Sequence, residues 1–518
     1  MSFVSTGFVL FFLLTGVLYY ALPQKAKWIV LLSASYVFYA LNNFKALIFI
    51  VLSTLISFLV ARKLQAIISE CEEKRALTED KEERKQIRTK YNKIKKRYVT
   101  IGVILSFAIL AVLKYTNFVV FNINSIFKTQ IRMFNLILPL GISFYTFQVV
   151  SYLLDVYNGK YEAEKNLFHY ALYVSYFPSI LQGPISRYNE LKDQFFETEH
   201  RFSLENTQFA MQRILWGFLK KLVIADRATE VVTYIFENHQ NLPWYIMFTG
   251  LLFYSIELYA DFSGGMDVVL GVSELYGIKL SENFRQPFFS QSIGEFWRRW
   301  HITLGTWMKD YVFYPYSLSP FSTNMGKKLS KVNKNLGKLV PACIGNLLVF
   351  FIVGVWHGAE WHFVIYGLYN GLLIVLGIIF KPLYEKLVKL FRINVQSAAW
   401  KVFRIVRTFL LVNIGWAFDD VTDLKMSFSM LKSLFTFTNG SLIQNWQFNT
   451  FSQLTIYTVA LFSVIWFIVS ILKEKGIDVR LSISKLKLPL RWAIYLALIL
   501  SVPFFQAANM VGFIYAQF

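Results

Sequence analysis

Two of the six histidines in this chain lie in segments where an imidazole could perform acid–base chemistry. His357 follows the apolar run "VFFIVGVW" and precedes Gly358, and His301 follows Trp300 in "EFWRRWHITLGTW". A neutral imidazole costs far less to bury than a fixed charge, and it can accept a proton near neutral pH. His357 is therefore a candidate general base, although a lone histidine in an apolar segment is more often a hydrogen-bonded packing residue.

Other kinds of site chemistry fit the sequence less well. His357 and Glu360 could share a helix face, but His362 is five residues from His357, so the zinc motif H-E-x-x-H does not occur and we expect no metal site. The sequence also has no G-x-S-x-G elbow and no Walker-type or G-x-G-x-x-G phosphate loop. The segment "DFSGGMD" (261–267) has no strand pattern before it, and we interpret it as a helix break where small residues permit close packing.

The segment 286–316 combines indoles with positive charge. Trp297, Trp300, Leu304 and Trp307 recur at helical spacings, which predicts one helix with an indole-rich face. Arg298, Arg299 and Lys309 surround that face. Because indole and guanidinium groups favour a membrane–water interface, an interfacial anchor is one interpretation, but it does not explain His301.

The composition indicates what must position these residues. The chain has 518 residues, 55% hydrophobic and 16% charged, and long apolar runs recur from end to end. Runs such as "FVLFFLLTGVLYYAL" approach the length needed to cross a hydrocarbon core of about 30 Å. We therefore predict an all-α polytopic membrane protein with about ten to twelve crossings, some re-entrant or interfacial segments, and one membrane domain over residues 1–518. Five carboxylates in or beside apolar segments should pair with basic groups: Asp155, Glu257, Asp261, Asp267 and Glu295.

The net charge of +21 follows the positive-inside rule, because it sits in short segments between apolar runs. This distribution argues against a nucleic-acid-binding face. Residues 62–98 hold 13 Lys and Arg against 7 Asp and Glu, so we place them in the cytoplasm as a helical hairpin whose second helix begins after Asp80. The hairpin is either a solvated extension of two membrane helices or a docking site for a cytoplasmic partner. Residues 419–452 are poor in Lys and Arg, so we place them outside.

Five stretches within residues 135–375 resemble the membrane-bound O-acyltransferases, in particular the bacterial branch that contains alginate O-acetylation and teichoic-acid D-alanyl transfer proteins. They are "LPLGISFYTFQVVSYLLDVYNGK", "YFPSILQGPISRYNEL", "YADFSGGMDVVLGVSELYGIKLSENFRQPF", "SIGEFWRRWHITLGTWMKDYVFYP" and "GVWHGAEWHFVIYGLYNGL". The "EFWRRWH" and "WHGA" pair is the most specific part of the resemblance. After "DYVFYP" the sequence departs from the alginate-type pattern, which commonly continues with a turn containing two glycines.

The resemblance implies a ring of tilted helices around a tunnel, with an acyl donor entering from the cytoplasm and an acceptor from outside. It implies that His357 is the catalytic base and that His301, nearer the cytoplasmic mouth, orients the donor or shuttles a proton. Arg298, Arg299, Lys309 and Trp300 would then contact the donor, which would be acetyl-CoA, another acyl-CoA or an acyl-carrier thioester, with no bound cofactor.

The implied function is transfer of an acyl group, most simply acetyl, to a cell-envelope polysaccharide across a bacterial cytoplasmic membrane. An extracytoplasmic acetyltransferase- or esterase-like partner would complete that transfer, and the lipids of the membrane would surround the protein. D-Alanyl transfer to a teichoic-type polymer, a transporter of lipid-linked glycan, and a scaffold that recruits other enzymes remain alternatives.

Overall fold

The computed structural model of the protein describes residues 2–421, 423–435, 453–508 and 511–514. Within these ranges the regular elements are helices, which confirms the all-α prediction. In chain order the first eleven are α1 (Thr6–Ala21), α2 (Gln24–Asn43), α3 (Leu47–Leu77), α4 (Lys81–Phe127), α5 (Ile142–Tyr157), α6 (Leu167–Ser175), α7 (Tyr188–Phe196), α8 (Leu204–Phe218), α9 (Asp226–Glu237), α10 (Trp244–Leu275) and α11 (Ile293–Arg299). The others are α12 (Ile302–Met308), α13 (Tyr314–Ser317), α14 (Pro320–Val332), α15 (Lys334–His357), α16 (Trp361–Ile379), α17 (Lys381–Leu390), α18 (Ala398–Trp416), α19 (Leu424–Ser433), α20 (Gln453–Glu474), α21 (Val479–Ser484) and α22 (Leu488–Phe505).

Six helical stretches among the described residues are long and apolar enough to cross a membrane. They are Gln24–Leu77, Lys81–Phe127, Lys334–His357, Trp361–Ile379, Leu454–Glu474 and Leu488–Phe505. These stretches confirm a polytopic membrane protein, whereas the crossing number of ten to twelve stays a prediction. Of the segment 419–452 that we place outside, residues 422 and 436–452 lie outside the described residues.

The chain divides into two compact units, and the candidate site residues all belong to one of them. Unit 1 comprises residues 1–211 and 269–281, and unit 2 comprises residues 212–268 and 282–518. The single membrane domain expected over residues 1–518 stays a prediction.

In unit 1, α3 and α4 continue past their apolar parts and form the predicted helical hairpin. The Asp80 carboxylate accepts hydrogen bonds from the backbone N–H groups of Glu82 and Glu83, at 3.2 and 3.1 Å, and so starts α4. Tyr91 is buried against α3, where its hydroxyl donates to Glu70 at 2.6 Å and accepts from Lys74 at 2.8 Å. The hairpin of residues 62–98 is thus confirmed as a structure, while its cytoplasmic position stays a prediction.

In unit 2, α15 and α16 form a hairpin whose backbones approach closely at two glycines. A Cβ atom added at Gly354 would lie 2.5 Å from the carbonyl oxygen of Phe363, and one added at Gly367 would lie 2.3 Å from that of Phe350. Only glycine allows this approach, as small residues do at other helix interfaces in membranes. The contact holds the last turn of α15, which ends at His357, against α16.

The predicted break at residues 261–267 is wrong, because α10 runs through them without interruption. The predicted close packing does occur, since a Cβ atom at Gly264 would lie 2.9 Å from the carbonyl oxygen of Gly217. Two glycines inside a long apolar helix lower its intrinsic propensity, but packing decides whether the helix continues.

Four of the five carboxylates expected to pair with basic groups do so. In unit 1, Asp155 pairs with Lys160. In unit 2, Asp261 pairs with Lys221, Asp267 pairs with both Lys220 and Arg213, and Glu295 pairs with Arg299. The N–O distances are 2.5 to 3.0 Å. For Glu257 the prediction is wrong, because its partner is a neutral group: the hydroxyl of Thr229 donates to it at 2.8 Å.

Candidate active site

His301 lies at a sharp turn and not within a continuous helix. The helical spacing from Trp297 to Trp307 predicted one helix, but α11 ends at Arg299 and α12 begins at Ile302. Between them His301 has φ 49°, in the left-handed region that costs a non-glycine residue about 1–3 kcal/mol. The prediction of a single indole-bearing helix is therefore wrong, and the turn needs support from outside the segment.

That support comes from Asn283 and its two successors. Phe284 and Trp300 form an antiparallel bridge, the Arg285 N–H donates to the Arg299 carbonyl at 2.9 Å, and the Ile302 N–H donates to the Asn283 carbonyl at 3.0 Å. The Asn283 side-chain oxygen accepts hydrogen bonds from the backbone N–H and the hydroxyl of Thr303, both at 3.0 Å. Nδ1 of His301 lies 3.3 Å from the same oxygen.

The His301 ring is buried, with 2% of the residue exposed, and it packs edge-on against Phe262 and Trp356 at centroid distances of 4.9 and 5.8 Å. The residue lies outside the six stretches that could span a membrane. Burial lowers the pKa of His301 well below its ordinary value, and the His357 imidazole lowers it further. His301 is therefore neutral at pH 7 and can accept a proton.

His357 occupies a different environment, at the last residue of α15. Because the helix ends there and α16 begins at Trp361, His357 and Glu360 do not share a helix face, which corrects that expectation. The His357 ring lies 5.2 Å from Trp356, 5.7 Å from Tyr366 and 6.2 Å from Phe363, so aromatic rings surround it. Only 3% of the residue is exposed. The indole of Trp356 contacts both imidazoles.

His362 points to other partners. Its Nδ1 lies 2.8 Å from the Phe418 carbonyl and its Nε2 lies 3.1 Å from the Glu360 carboxylate. Within the described part of the chain, no group of three or more His, Cys, Asp or Glu residues could hold a metal ion.

A cavity of about 1060 Å³ in unit 2 has His301 in its wall. Three cationic side chains line it, those of Arg298, Lys309 and Arg407, and its lining contains no carboxylate. Most of the remaining wall is apolar, with contributions from α11, α12, α15, α16 and α18. His357 is not among the lining residues, so its place in a tunnel stays a prediction. The cavity can accept an elongated ligand with an anionic end and an apolar or neutral chain.

The four residues expected to contact a donor separate into two pairs. Arg298 and Lys309 are exposed and line the cavity. Arg299 instead binds two carboxylates, those of Glu295 and Glu474, at 2.8 and 2.7 Å. Trp300 is 1% exposed and packs against Phe284, Phe296 and Trp416 at 5.1 to 5.4 Å, which is core packing and not interfacial anchoring.

Sequence reasoning missed Asn283 and Arg407. Asn283 lies in the quoted stretch "SENFRQPF" beside Glu282, where a polar amide does not stand out, and nothing local connects it with a residue eighteen positions later. Arg407 is one of the many basic residues between apolar runs, and no motif around it distinguishes it from the others.

Comparison with known proteins finds acyltransferases. Residues 163–415 match "MBOAT, membrane-bound O-acyltransferase family". The chain is 31% identical over 450 residues to the protein named "Probable alginate O-acetylase AlgI" of Azotobacter vinelandii, which covers 85% of this chain and 79% of the relative. It is 30% identical over 460 residues to the peptidoglycan O-acetyltransferase of Helicobacter pylori, covering 84% and 78% of the two chains. The similarity to the teichoic acid D-alanyltransferase of Bacillus subtilis is 33% over 286 residues and covers 54% and 68%.

Proposed function

This chain belongs to the membrane-bound O-acyltransferase family, and we propose that it moves an acetyl group from a cytoplasmic thioester toward a cell-envelope polysaccharide. The chain is an acyltransferase and a multi-pass membrane protein. Acetyl transfer is favoured over D-alanyl transfer because the O-acetylating relatives align over 84–85% of the chain, whereas the D-alanyltransferase aligns over 54%. Similarity to relatives named for alginate and peptidoglycan acetylation supports a polysaccharide as the acceptor. Because these relatives are bacterial, we place the protein in the bacterial cytoplasmic membrane.

The cavity is the observation that carries the donor assignment. Coenzyme A and phosphopantetheine carriers present phosphates next to a long neutral chain that ends in the thioester. Arg298, Lys309 and Arg407 supply positive charge without a competing carboxylate, and the apolar wall leads to His301. Arginine binds phosphate through paired N–H donors, and lysine binds it as a point charge.

In the proposed reaction a nucleophilic oxygen attacks the carbonyl carbon of the thioester. The new C–O bond forms as the C–S bond breaks, and the proton of the hydroxyl passes to an imidazole and then to the leaving thiolate. We assign the base to His357, as the family resemblance implies, and to His301 either orientation of the donor or transfer of a proton. An imidazole base contributes typically 10²–10⁴-fold in rate. The nucleophile belongs either to the polysaccharide or to an extracytoplasmic partner protein that completes the transfer.

The direct test uses purified protein in lipid nanodiscs with radiolabelled acetyl-CoA or with an acetylated acyl carrier protein, and a soluble oligosaccharide as acceptor. We expect thiol release and label in the oligosaccharide, both dependent on the protein. Absence of both thiol release and label transfer, with either donor and with alginate and peptidoglycan fragments alike, would overturn the proposal. Loss of transfer to added acceptor with thiol release retained would instead indicate the missing extracytoplasmic partner.

The hairpin of residues 62–98 is proposed as the docking site of an acidic cytoplasmic donor carrier. Residues 81–98 of α4 include nine Lys and Arg against two Glu, and Lys85, Lys93 and Lys96 are exposed. A depression of about 490 Å³ lies between α4 and the end of α5, and Lys93, Lys95 and Lys96 line it. Lys81 lies 18 residues before Val99, which is roughly 27 Å along a helix. This basic part of α4 is therefore too long for lipid headgroups near Val99 to neutralise all of its charge, because charges in solution interact over about one Debye length.

Reversing this charge tests the docking site separately from the active site. The variant Lys85→Glu/Lys93→Glu/Lys96→Glu should lower the rate with the acetylated carrier about tenfold and leave the rate with acetyl-CoA unchanged. The matched control is Lys327→Glu/Lys328→Glu/Lys331→Glu on α14, which changes the net charge equally. Equal effects of the two triple variants would contradict a docking site on α4.

A further inference from the structure

The contacts of Asn283 with His301 and Thr303 determine the tautomer of the His301 imidazole. A backbone N–H can only donate a hydrogen bond, and that of Thr303 lies 3.0 Å from one terminal atom of the Asn283 side chain. That atom must therefore be the amide oxygen, which settles an orientation that heavy-atom positions alone leave open. Nδ1 of His301 faces the same oxygen at 3.3 Å, so Nδ1 must carry the hydrogen.

The consequence lies at the other nitrogen of the ring. In a neutral imidazole with its hydrogen on Nδ1, the lone pair is on Nε2. Such a ring takes a proton at Nε2, and it does not donate a hydrogen bond from that atom. His301 in this tautomer is therefore suited to receive a proton at Nε2, and it is unsuited to donate a hydrogen bond from that atom to the thioester carbonyl.

We propose that Asn283 is a positioning residue that holds His301 as the Nδ1–H tautomer, so that His301 relays a proton and does not polarise the donor carbonyl. This inference rests on the proposed function, because it assumes that a thioester occupies the cavity. It goes beyond that function by choosing between donor orientation and proton transfer for His301 and by assigning a role to Asn283.

Asn283 also maintains the backbone on which the ring is mounted. His301 precedes α12 with φ 49° and provides no side-chain hydrogen bond to the first turn of that helix. The amide oxygen of Asn283 provides it instead, through the Thr303 N–H. The Asn283 side chain thus fixes both the orientation of the His301 ring and its tautomer. In other proteins, too, the hydrogen bond made by one ring nitrogen decides which nitrogen of a histidine carries the proton.

The two carboxylates nearest the turn are already paired with basic side chains. The titratable group that acts on His301 is His357 of α15. Glu282, next to Asn283, pairs with Arg213, and Asp267 of α10 pairs with Arg213 and Lys220. Arg298 and Lys309 line the same cavity as His301. Among the residues that the structure describes, a new carboxylate at position 283 would therefore be the one acid placed directly against the His301 ring.

The substitution Asn283→Asp uses this arrangement. A carboxylate is nearly the same shape and accepts all three hydrogen bonds, and it gives up only an N–H contact to the Met266 sulfur at 3.6 Å. Its charge stabilises the imidazolium, which raises the pKa of His301. Because a protonated ring cannot accept a proton, we expect the acid limb of the rate–pH profile to move to higher pH. The expected size is about 1–3 units, which is the pKa shift that an adjacent opposite charge typically produces. The rate at high pH should recover toward that of the wild type.

A structural role alone would not move the pH profile, so two further variants complete the test. Asn283→Leu removes the acceptor and should lower kcat at least tenfold at every pH, with a smaller effect on KM for acetyl-CoA. Asn413→Asp is the matched control: Asn413 is 1% exposed, accepts a hydrogen bond from Ser255 at 2.9 Å, and should leave the profile in place. Folding is checked by size exclusion and thermal unfolding in the same detergent.

The outcomes separate this inference from the proposed function. A wild-type enzyme that transfers label, together with an Asn283→Asp profile that coincides with the wild type, overturns the positioning role and leaves acyl transfer in place. His301→Ala at the wild-type rate also overturns it. A wild-type protein that neither releases thiol nor transfers label from any thioester contradicts the function itself.

Discussion

His301 and His357 are almost equally buried, yet the chain positions them by opposite means. His301 lies at a left-handed turn that the side chain of Asn283 supports, and it lines a cavity with three cationic side chains. His357 ends a continuous helix that two glycines bring against its neighbour, and aromatic rings enclose it. The difference is consistent with the roles proposed above, in which the cavity lined by His301 receives the donor and the enclosed His357 is the base.

The largest expected effects come from removing each imidazole. His357→Ala should lower kcat by about 10²–10⁴-fold with little change in KM for acetyl-CoA, because a base acts in the transition state. His301→Ala should lower kcat less and raise KM for the donor, because His301 lines the cavity. Steady-state kinetics of thiol release measure both effects.

His357→Gln and His301→Gln retain bulk and serve as controls for folding. If His301→Gln abolishes turnover while His357→Gln affects only thermal stability, the two roles must be exchanged, and the cavity-lining ring is the base.

A smaller effect is expected from crowding the enclosed histidine. A methyl group added by Gly358→Ala would lie 2.1 Å from the Phe363 ring, which in turn lies along His357. Overpacking of this kind costs typically 1–3 kcal/mol, and here it should also lower kcat several-fold by displacing the base. Thermal unfolding and kinetics measure the two parts.

Gly7→Ala provides the matched control, because its added methyl group meets only Ser5 Oγ at 4.0 Å. A Gly358→Ala enzyme with wild-type stability and turnover would mean that the rings around His357 adapt freely, which contradicts an enclosed, preorganised base.

The smallest effects distinguish two adjacent arginines. Arg298→Gln should raise KM for acetyl-CoA a few-fold, increasingly at low ionic strength, because Arg298 is exposed in the cavity wall. Arg299→Gln should instead lower the unfolding temperature with little effect on KM, since Arg299 joins Glu295 and Glu474. The reverse pattern would remove Arg298 from the donor site.

Local signals predicted much of the fold and part of the site. The hairpin at 62–98 was predictable because Asp80 is a strong helix-start signal and because Ile87, Tyr91, Ile94 and Tyr98 follow it at helical spacings. The continuity of α10 through Gly264 was not, because glycine weakens a helix locally while packing against Gly217 restores it. The turn at His301 was hidden for the same reason: the spacing of Trp297, Trp300 and Trp307 is helical, and only the pairing with residues 283–285 interrupts it.

The sequence by itself determined the membrane class, the acyltransferase family and the two histidine motifs, because hydropathy, charge bias and motif residues are properties of neighbours along the chain. Only the tertiary structure decided that Arg298 lines a cavity while Arg299 binds carboxylates, and that Asn283 holds His301. These are contacts between segments distant in sequence, or choices of side-chain direction, and both depend on how the backbone turns after Arg299. A one-residue change in where a helix ends redirects every side chain that follows, and that end point is a result of packing.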